Sequence, residues 1–211
     1  MLRIGPALTA LAAFVFIGPA AAATWSVEGF GGNAYNFRSG LHIAQDGGYS
    51  ESVRAHYDTR GWRSPLYYML RAGRWSEDRA WEVCVLHHKL YLSNPPAGVA
   101  DVSVSHGFNI VSLNRAFRHR DWIWRLGAGP VVTHAEATIL GTRYDGPYKL
   151  AGIALVTGLE RRFYLGEATY LALEGGMTAA YAKPQLEGTP GATLTVRNVA
   201  LHGLLGVGFD F

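Results

Sequence analysis

A single cysteine, Cys84, in 211 residues leaves the chain without an internal disulfide, so an oxidising compartment would not be used as a staple. Strong charge of either sign is also missing. Nineteen basic against sixteen acidic side chains give a formal +3, weaker still without Arg3, which argues against nucleic acid as a partner. Long apolar runs are absent outside the first residues, so no other stretch spans a membrane as a helix. Charges fall in short clusters instead of spreading along helical faces. What is plentiful is glycine, at 26 residues, and aromatics, at 12%.

The one apolar run follows Arg3, from Ile4 to Ile17, and gives way to Gly18-Pro19 and four alanines, Ala20 to Ala23. A charged start, an apolar middle and a small-residue cleavage site predict a secretory signal over residues 1–23. A helical anchor is the weaker alternative, because Gly18-Pro19 breaks the run short of the ~20 residues a span needs. Residues 24–211 then form one domain.

Leu201, Gly203, Leu205, Val207, Phe209 and Phe211 share one side of a period-2 strand that ends on an aromatic. A soluble domain gains nothing from such a strand, whereas the closing strand of a membrane barrel faces lipid on alternate residues. It resembles the carboxyl-terminal strand read by the bacterial barrel-assembly machinery, which that resemblance makes an expected partner during insertion. Counting back, strands are expected near 193–211, 167–181, 149–161, 122–137, 102–117, 79–92, 63–75 and 24–36. Short polar turns at 76–79, 118–121 and 161–167 alternate with longer connections rich in Gly, Pro and Asn. The fold expected is an all-β, transmembrane, antiparallel up-and-down barrel of eight strands in a Gram-negative outer membrane, working as a monomer. Strand-like pieces at 41–45 and 51–59 inside the long first loop, 37–63, keep ten strands open.

Alternation separates the two faces. Trp122, Trp124, Leu126 and Val132 oppose Arg125, Gly127 and Thr133; Leu171, Leu173, Met177 and Tyr181 oppose Glu174, Gly176 and Thr178. Apolar outside and small or polar inside is the membrane pattern, the reverse of a soluble lipocalin. Trp75, Trp81, Phe117, Trp122, Trp124, Phe163, Tyr164, Phe209 and Phe211 are expected to form a girdle near the periplasmic turns. A lumen this narrow is filled by side chains. Arg71, Glu82, Arg125 and Glu174 are expected there as mutually paired charges, with His202 beside them and Asn109 and Asn114 as ordinary lumen or turn residues.

Histidine carries whatever chemistry is present. His87 and His88, His106, and His134 with Glu136 lie toward the outer ends of three consecutive strands. Parity with Trp81 and Val83 places His87 on the lipid side; parity with Trp122 to Val132 does the same for His134 and Glu136. His106 shares parity with Val104, Phe108 and Ile110. Polar groups facing hydrocarbon need a partner, a ligand or a headgroup. The set fits a divalent metal, iron, manganese or zinc, on His87, His88, His106 and His134. It equally fits proton transfer by His87, His106, His134 and Glu136. Contact with headgroup phosphates alone is the competing explanation, and Arg and Lys near the loop ends suit lipopolysaccharide. A bulge at Gly107 or Pro130 would change the parity and turn His88 inward, or into a loop site with His42, Asp46, His56 or Asp58. Ser105 beside His106 would need such a bulge to act as a pair.

The domain looks like the small barrels shared by the OmpA transmembrane domain and lipid A-modifying proteins. Ser64-Pro65-Leu66-Tyr67-Tyr68-Met69-Leu70-Arg71-Ala72 and Val85-Leu86-His87-His88-Lys89-Leu90-Tyr91 resemble lipid A oxidase-like barrels. That resemblance implies oxygen-dependent, metal-assisted oxidation of the proximal glucosamine of lipid A. Lipid A 3-O-deacylase is the other relation; its His-x-Ser motif is absent, and Ser105-His106 has the opposite order. The expected function is binding or modification of lipid A at the outer leaflet, oxidation ahead of deacylation. A non-enzymatic structural or adhesive barrel with a plugged lumen is the alternative.

Overall fold

The computed structural model describes residues 24–211; the signal expected over residues 1–23 lies outside the described residues. Every regular element is a strand: β1 (Thr24–Phe37), β2 (Ser39–Gln45), β3 (Tyr49–Ala55), β4 (Tyr57–Asp58), β5 (Tyr68–Ser76), β6 (Arg79–Leu92), β7 (Val99–His119), β8 (Trp122–Thr133), β9 (Glu136–Ile139), β10 (Thr142–Asp145), β11 (Lys149–Tyr164), β12 (Thr169–Ala182), β13 (Gln185–Leu186) and β14 (Ala192–Asp210). Eight of them, β1, β5, β6, β7, β8, β11, β12 and β14, pair antiparallel in a closed ring. Strand β14 closes it against β1, where the backbones of Trp25 and Phe211 exchange hydrogen bonds of 2.7 and 2.8 Å.

The strand-like pieces of the first long loop do not enlarge the ring. They form the hairpin β2–β3, which extends the sheet from the upper part of β14. At the opposite end the turns are tight, with Glu77 and Arg120 in the left-handed region at φ 52° and 55°. Short turns mark the periplasmic end and long connections the outer one.

Two polarity regimes stack along the axis. In the lower part, Leu126, Leu155, Leu173 and Leu205 point outward and are exposed, while a buried charge cluster fills the lumen. Arg71 reaches Glu28 at 2.8 Å, Glu160 at 2.9 Å and Glu174 at 2.6 Å. Arg125 holds Glu82 at 2.7 Å and Glu160 at 3.1 Å. Arg162 clamps Glu28 and Glu160, each at 2.7 Å. The four charges expected inside are all there; Glu28, Glu160 and Arg162 complete the set. An apolar exterior around a charged interior is stable only in lipid, and it places the chain in an outer membrane.

Above the charges the pattern inverts. Leu41, Ile43, Val104, Ile139, Leu194 and Val196 are buried inside the barrel's extension, and the outward positions turn polar. On β14 the change falls between Val199 and Arg197; at the upper end of β12 it falls between Tyr181 and Lys183, the first residue beyond the strand. Tyr181 and Arg197 are paired neighbours, so the boundary is continuous across the two strands.

Two girdle assignments are corrected: Tyr164 shares the inward parity of Glu160 and Arg162, its hydroxyl donating to Asp210 Oδ2 at 2.7 Å, and Trp75 also points inside. Trp75 is buried, donates its indole N–H to Ser26 Oγ at 3.1 Å and packs with Ala80, Ala116 and Ile123 as a lower stopper of the lumen. Trp25 lies on the lipid side, with Trp81, Trp122 and Trp124.

Candidate functional site

The site is created by an irregularity in β7. Leu90 and His88, two apart on β6, pair with Val104 and Phe108, four apart on β7. On the other flank Glu136 and Thr133, three apart, pair with Ser103 and Phe108, five apart. β7 therefore carries two extra residues against both neighbours, and they bulge outward around His106 and Gly107. Gly107 has φ 154°, and a Cβ there would run into the Asn109 carboxamide.

The bulge replaces simple parity. Val104, Phe108 and Ile110, expected to share a face with His106, point inward and are buried, whereas His106 is exposed on the outer wall. The strand expected over 122–137 breaks after Thr133, where the His134 N–H donates to the Gly107 carbonyl at 3.0 Å. That break delivers His134 to the same patch, and β9 returns Glu136 opposite Ser103.

Three side chains converge: His106, His134 and Glu136, with one ligand atom from each lying within 4.8 Å of the others. The imidazole centroids of His106 and His134 are 5.4 Å apart. His106 Nδ1 stands 3.9 Å from Glu136 Oε2, and His134 Nε2 stands 3.1 Å from Asp145 Oδ1. His134 Nδ1 is buried without a hydrogen-bond partner. Tyr148 roofs the group: its ring lies 4.8 Å from that of His134, and its hydroxyl donates to the His106 carbonyl at 2.7 Å. Burial, and secondarily the nearby Tyr68, raise the Tyr148 phenol above its ordinary pKa, so it remains a donor. Asp145 and Tyr148 lie in and after the β9–β10 hairpin; only the fold brings them in, and no spacing in the sequence marks them.

His87 flanks this group without joining it. It faces outward but is covered, stacked on Tyr68 at 4.9 Å with Nδ1 2.7 Å from Asn109 Oδ1, and its Nε2 is buried without a partner. Asn109 is thus a wall residue, not a lumen one, while Asn114 is buried inside. His88 is corrected to the interior. It is fully buried, with Nε2 3.0 Å from Asn36 Oδ1 and its ring between Phe108 and His202. His202 is a lumen residue as expected, 2.8 Å from Thr178 Oγ1. His42 lies on the outer face of the β2–β3 hairpin against Ser52, and forms no loop site with His88.

The two segments that carry the oxidase-like resemblance form one unit. Tyr68 pairs with His87 across β5–β6, and Lys89 donates to the carbonyls of Arg60, Arg63 and Pro65 at 2.7, 2.8 and 2.6 Å. Lys89 is therefore an anchor for the chain entering β5.

Ser105 Oγ comes within 3.4 Å of His106 Nδ1. Glu136 approaches the same nitrogen. A serine relay needs nucleophile and acid on opposite ring nitrogens, and Ser105 is buried. The arrangement suits metal binding or acid–base work better than a serine nucleophile.

No protein-family model matches the chain, and no curated protein does. Among solved structures, the outer-membrane protein AlkL aligns over 93% of this chain and 95% of its own at 14% identity, with a TM-score of 0.54. Neisserial surface protein A aligns over 90% and 97% at 11% identity, with a TM-score of 0.41. Ail, the attachment invasion locus protein of Yersinia pestis, aligns over 90% and 98% at 11% identity, with a TM-score of 0.42. The likeness to AlkL is one of fold: the chain has the architecture of a small outer-membrane β-barrel.

Proposed function

We propose that this barrel oxidises lipid A from its lateral wall, with His106, His134 and Glu136 holding a catalytic divalent iron. The observation that carries the reading is the meeting of two imidazoles and a carboxylate on the outward face, beside a buried imidazole nitrogen that has no partner. Two histidines and one carboxylate with open positions are the donor set of non-haem iron oxygenases. Asp145 at His134 Nε2 fits the outer-shell carboxylate that fixes a ligating imidazole and frees its other nitrogen. Metal–ligand bonds of ~2.0–2.2 Å require the three donor atoms to draw together from their present spread.

The height of the site on the wall supports a lipid substrate. His106 lies opposite Lys89 of β6, ten residues above the Arg79–Phe117 pair, about 25 Å at the ~2.5 Å axial rise of a tilted strand. That is the outer edge of the hydrocarbon belt of ~25 Å, where the headgroup sugars of outer-leaflet lipid begin. A site that opens sideways at this height meets a membrane-resident glycolipid. Bound iron supplies dioxygen activation. Glu136 serves as a ligand in this arrangement, and Tyr148 and His87 border the sugar.

The chemistry balances for a proximal glucosamine with a free anomeric hydroxyl. Its C–H and O–H hydrogens leave as two electrons and two protons to dioxygen, giving hydrogen peroxide and a lactone. Water then opens the lactone, a net gain of one oxygen. The test is purified, folded protein in micelles with such a lipid A, ferrous iron and air. A gain of one oxygen in the lipid mass, matched by peroxide and lost in Glu136→Gln and His106→Ala, is expected. An unchanged mass with folded, iron-loaded protein would overturn the reading and leave a non-enzymatic barrel whose outer hairpin contacts other surfaces.

A further inference from the structure

On the opposite side of the ring from the His106 group, the wall formed by β14, β2 and β3 presents a second constellation. Cross-strand register aligns Arg197, Gly40 and Arg54 in one row and Thr195, His42 and Ser52 in the next. Gly40 has no side chain, and the Arg197 guanidinium lies across it: a Cβ built at Gly40 would sit 3.8 Å from Arg197 Cδ and 3.9 Å from Nη1. The result is an open groove of about 410 Å³ with an arginine on either flank. Strand spacing puts those two backbones ~10 Å apart, a gap that a tetrahedral oxyanion fills while accepting from both guanidiniums.

Neither Arg54 nor Arg197 has a carboxylate partner among the described residues. The outward positions of these three strands carry no acid at all. Hydroxyls and imidazole fill the second row, with His42 Nδ1 3.0 Å from Ser52 Oγ. Two uncompensated arginines facing one gap repel each other, so the arrangement is one that an anion stabilises.

Position selects the anion's source. Arg197 is the first outward residue above Val199, Leu201, Leu205, Val207 and Phe209, and its strand neighbour Tyr181 closes the lipid face of β12. Lys183, one outward step higher, lies 5.9 Å over the Tyr181 ring. A phosphate held between Arg197 and Arg54 therefore sits at the level where outer-leaflet headgroups start, with its acyl chains running down the apolar face beneath. We infer that the Arg197–Gly40–Arg54 groove is a lipid A phosphate site, a docking wall for lipopolysaccharide separate from the His106 group and independent of its chemistry.

The test uses the full folded barrel in micelles and native mass spectrometry of bound lipid, with bisphosphorylated lipid A, fully dephosphorylated lipid A, and inorganic phosphate as probes. The expected result is retention of bisphosphorylated lipid A, weakened tenfold or more in the Arg54→Gln, Arg197→Gln double variant. Gly40→Glu, which puts a carboxylate in the gap, gives the same loss, and Arg115→Gln near the periplasmic end changes nothing. Heat-shifted electrophoretic mobility checks that each variant is folded. Equal retention of phosphorylated and dephosphorylated lipid, or equal binding by wild type and the double variant, overturns the assignment. Saturation of the groove by millimolar inorganic phosphate with no preference for lipid A overturns the lipid source.

Discussion

Asp145 stands 3.1 Å from His134 Nε2, while the ring's other nitrogen, Nδ1, is buried without a hydrogen-bond partner. The contact crosses the β9–β10 hairpin, where Asp145 pairs with Glu136, so one hairpin supplies both the acid in the group and the acid behind it. Asp145→Asn keeps the size and loses the charge. Metal affinity is expected to fall ~10–100-fold with the fold unchanged, read from an anaerobic ferrous or cobaltous titration. Unaltered affinity would mean that Asp145 does not orient His134.

Gly107 shapes the bulge that turns His106 outward. Its φ of 154° and the closeness of the Asn109 carboxamide leave no room for a methyl group. Gly107→Ala is expected to cost ~1–3 kcal/mol in urea unfolding from micelles and to weaken the metal site at the same time. A variant that unfolds like wild type would show that the bulge tolerates a side chain.

The buried charges give a prediction about stability alone. Arg71 is shared by Glu28, Glu160 and Glu174, and Arg71→Met would leave those carboxylates facing one another. Equilibrium unfolding in urea should show a loss of ~3–5 kcal/mol, the cost of breaking a buried pair by removing one partner. A neutral outcome would mean that water or neighbouring arginines replace the lost cation.

The lipid boundary on β14 predicts opposite outcomes on its two sides. Leu205, 63% exposed on the apolar face, should lose ~2–4 kcal/mol as Leu205→Arg in a bilayer. Thr193→Arg, on the same outward face but above Arg197, should be near neutral. Equal costs in a bilayer unfolding assay would place the boundary elsewhere.

The barrel was legible in the sequence because a membrane enforces alternation. Lipid outside and charge inside leave Trp124 and Arg125, or Leu173 and Glu174, no choice of face. Glu28 was equally readable by its alternation with Trp25 and Val27; Arg162 fell at the edge of a turn. Trp75 misled because composition places tryptophan at an interface, whereas its indole N–H has a partner inside at Ser26. Parity fails where chain is inserted. His106 reached the outer wall through two extra residues in β7, and His88 lies inside across from that irregularity. Asp145 and Tyr148 join the group through a hairpin whose closure no local spacing announces.

The account turns on His106, His134 and Glu136 forming one metal site on a lipid-facing wall. The most direct test is an optical titration of the folded barrel with cobaltous ion, anaerobically and in micelles. One equivalent should bind with a nitrogen–oxygen ligand-field spectrum that disappears in His134→Ala and persists in His88→Ala. Binding no tighter than in a variant lacking all three side chains, or a spectrum lost with His88 and kept without His134, would contradict it.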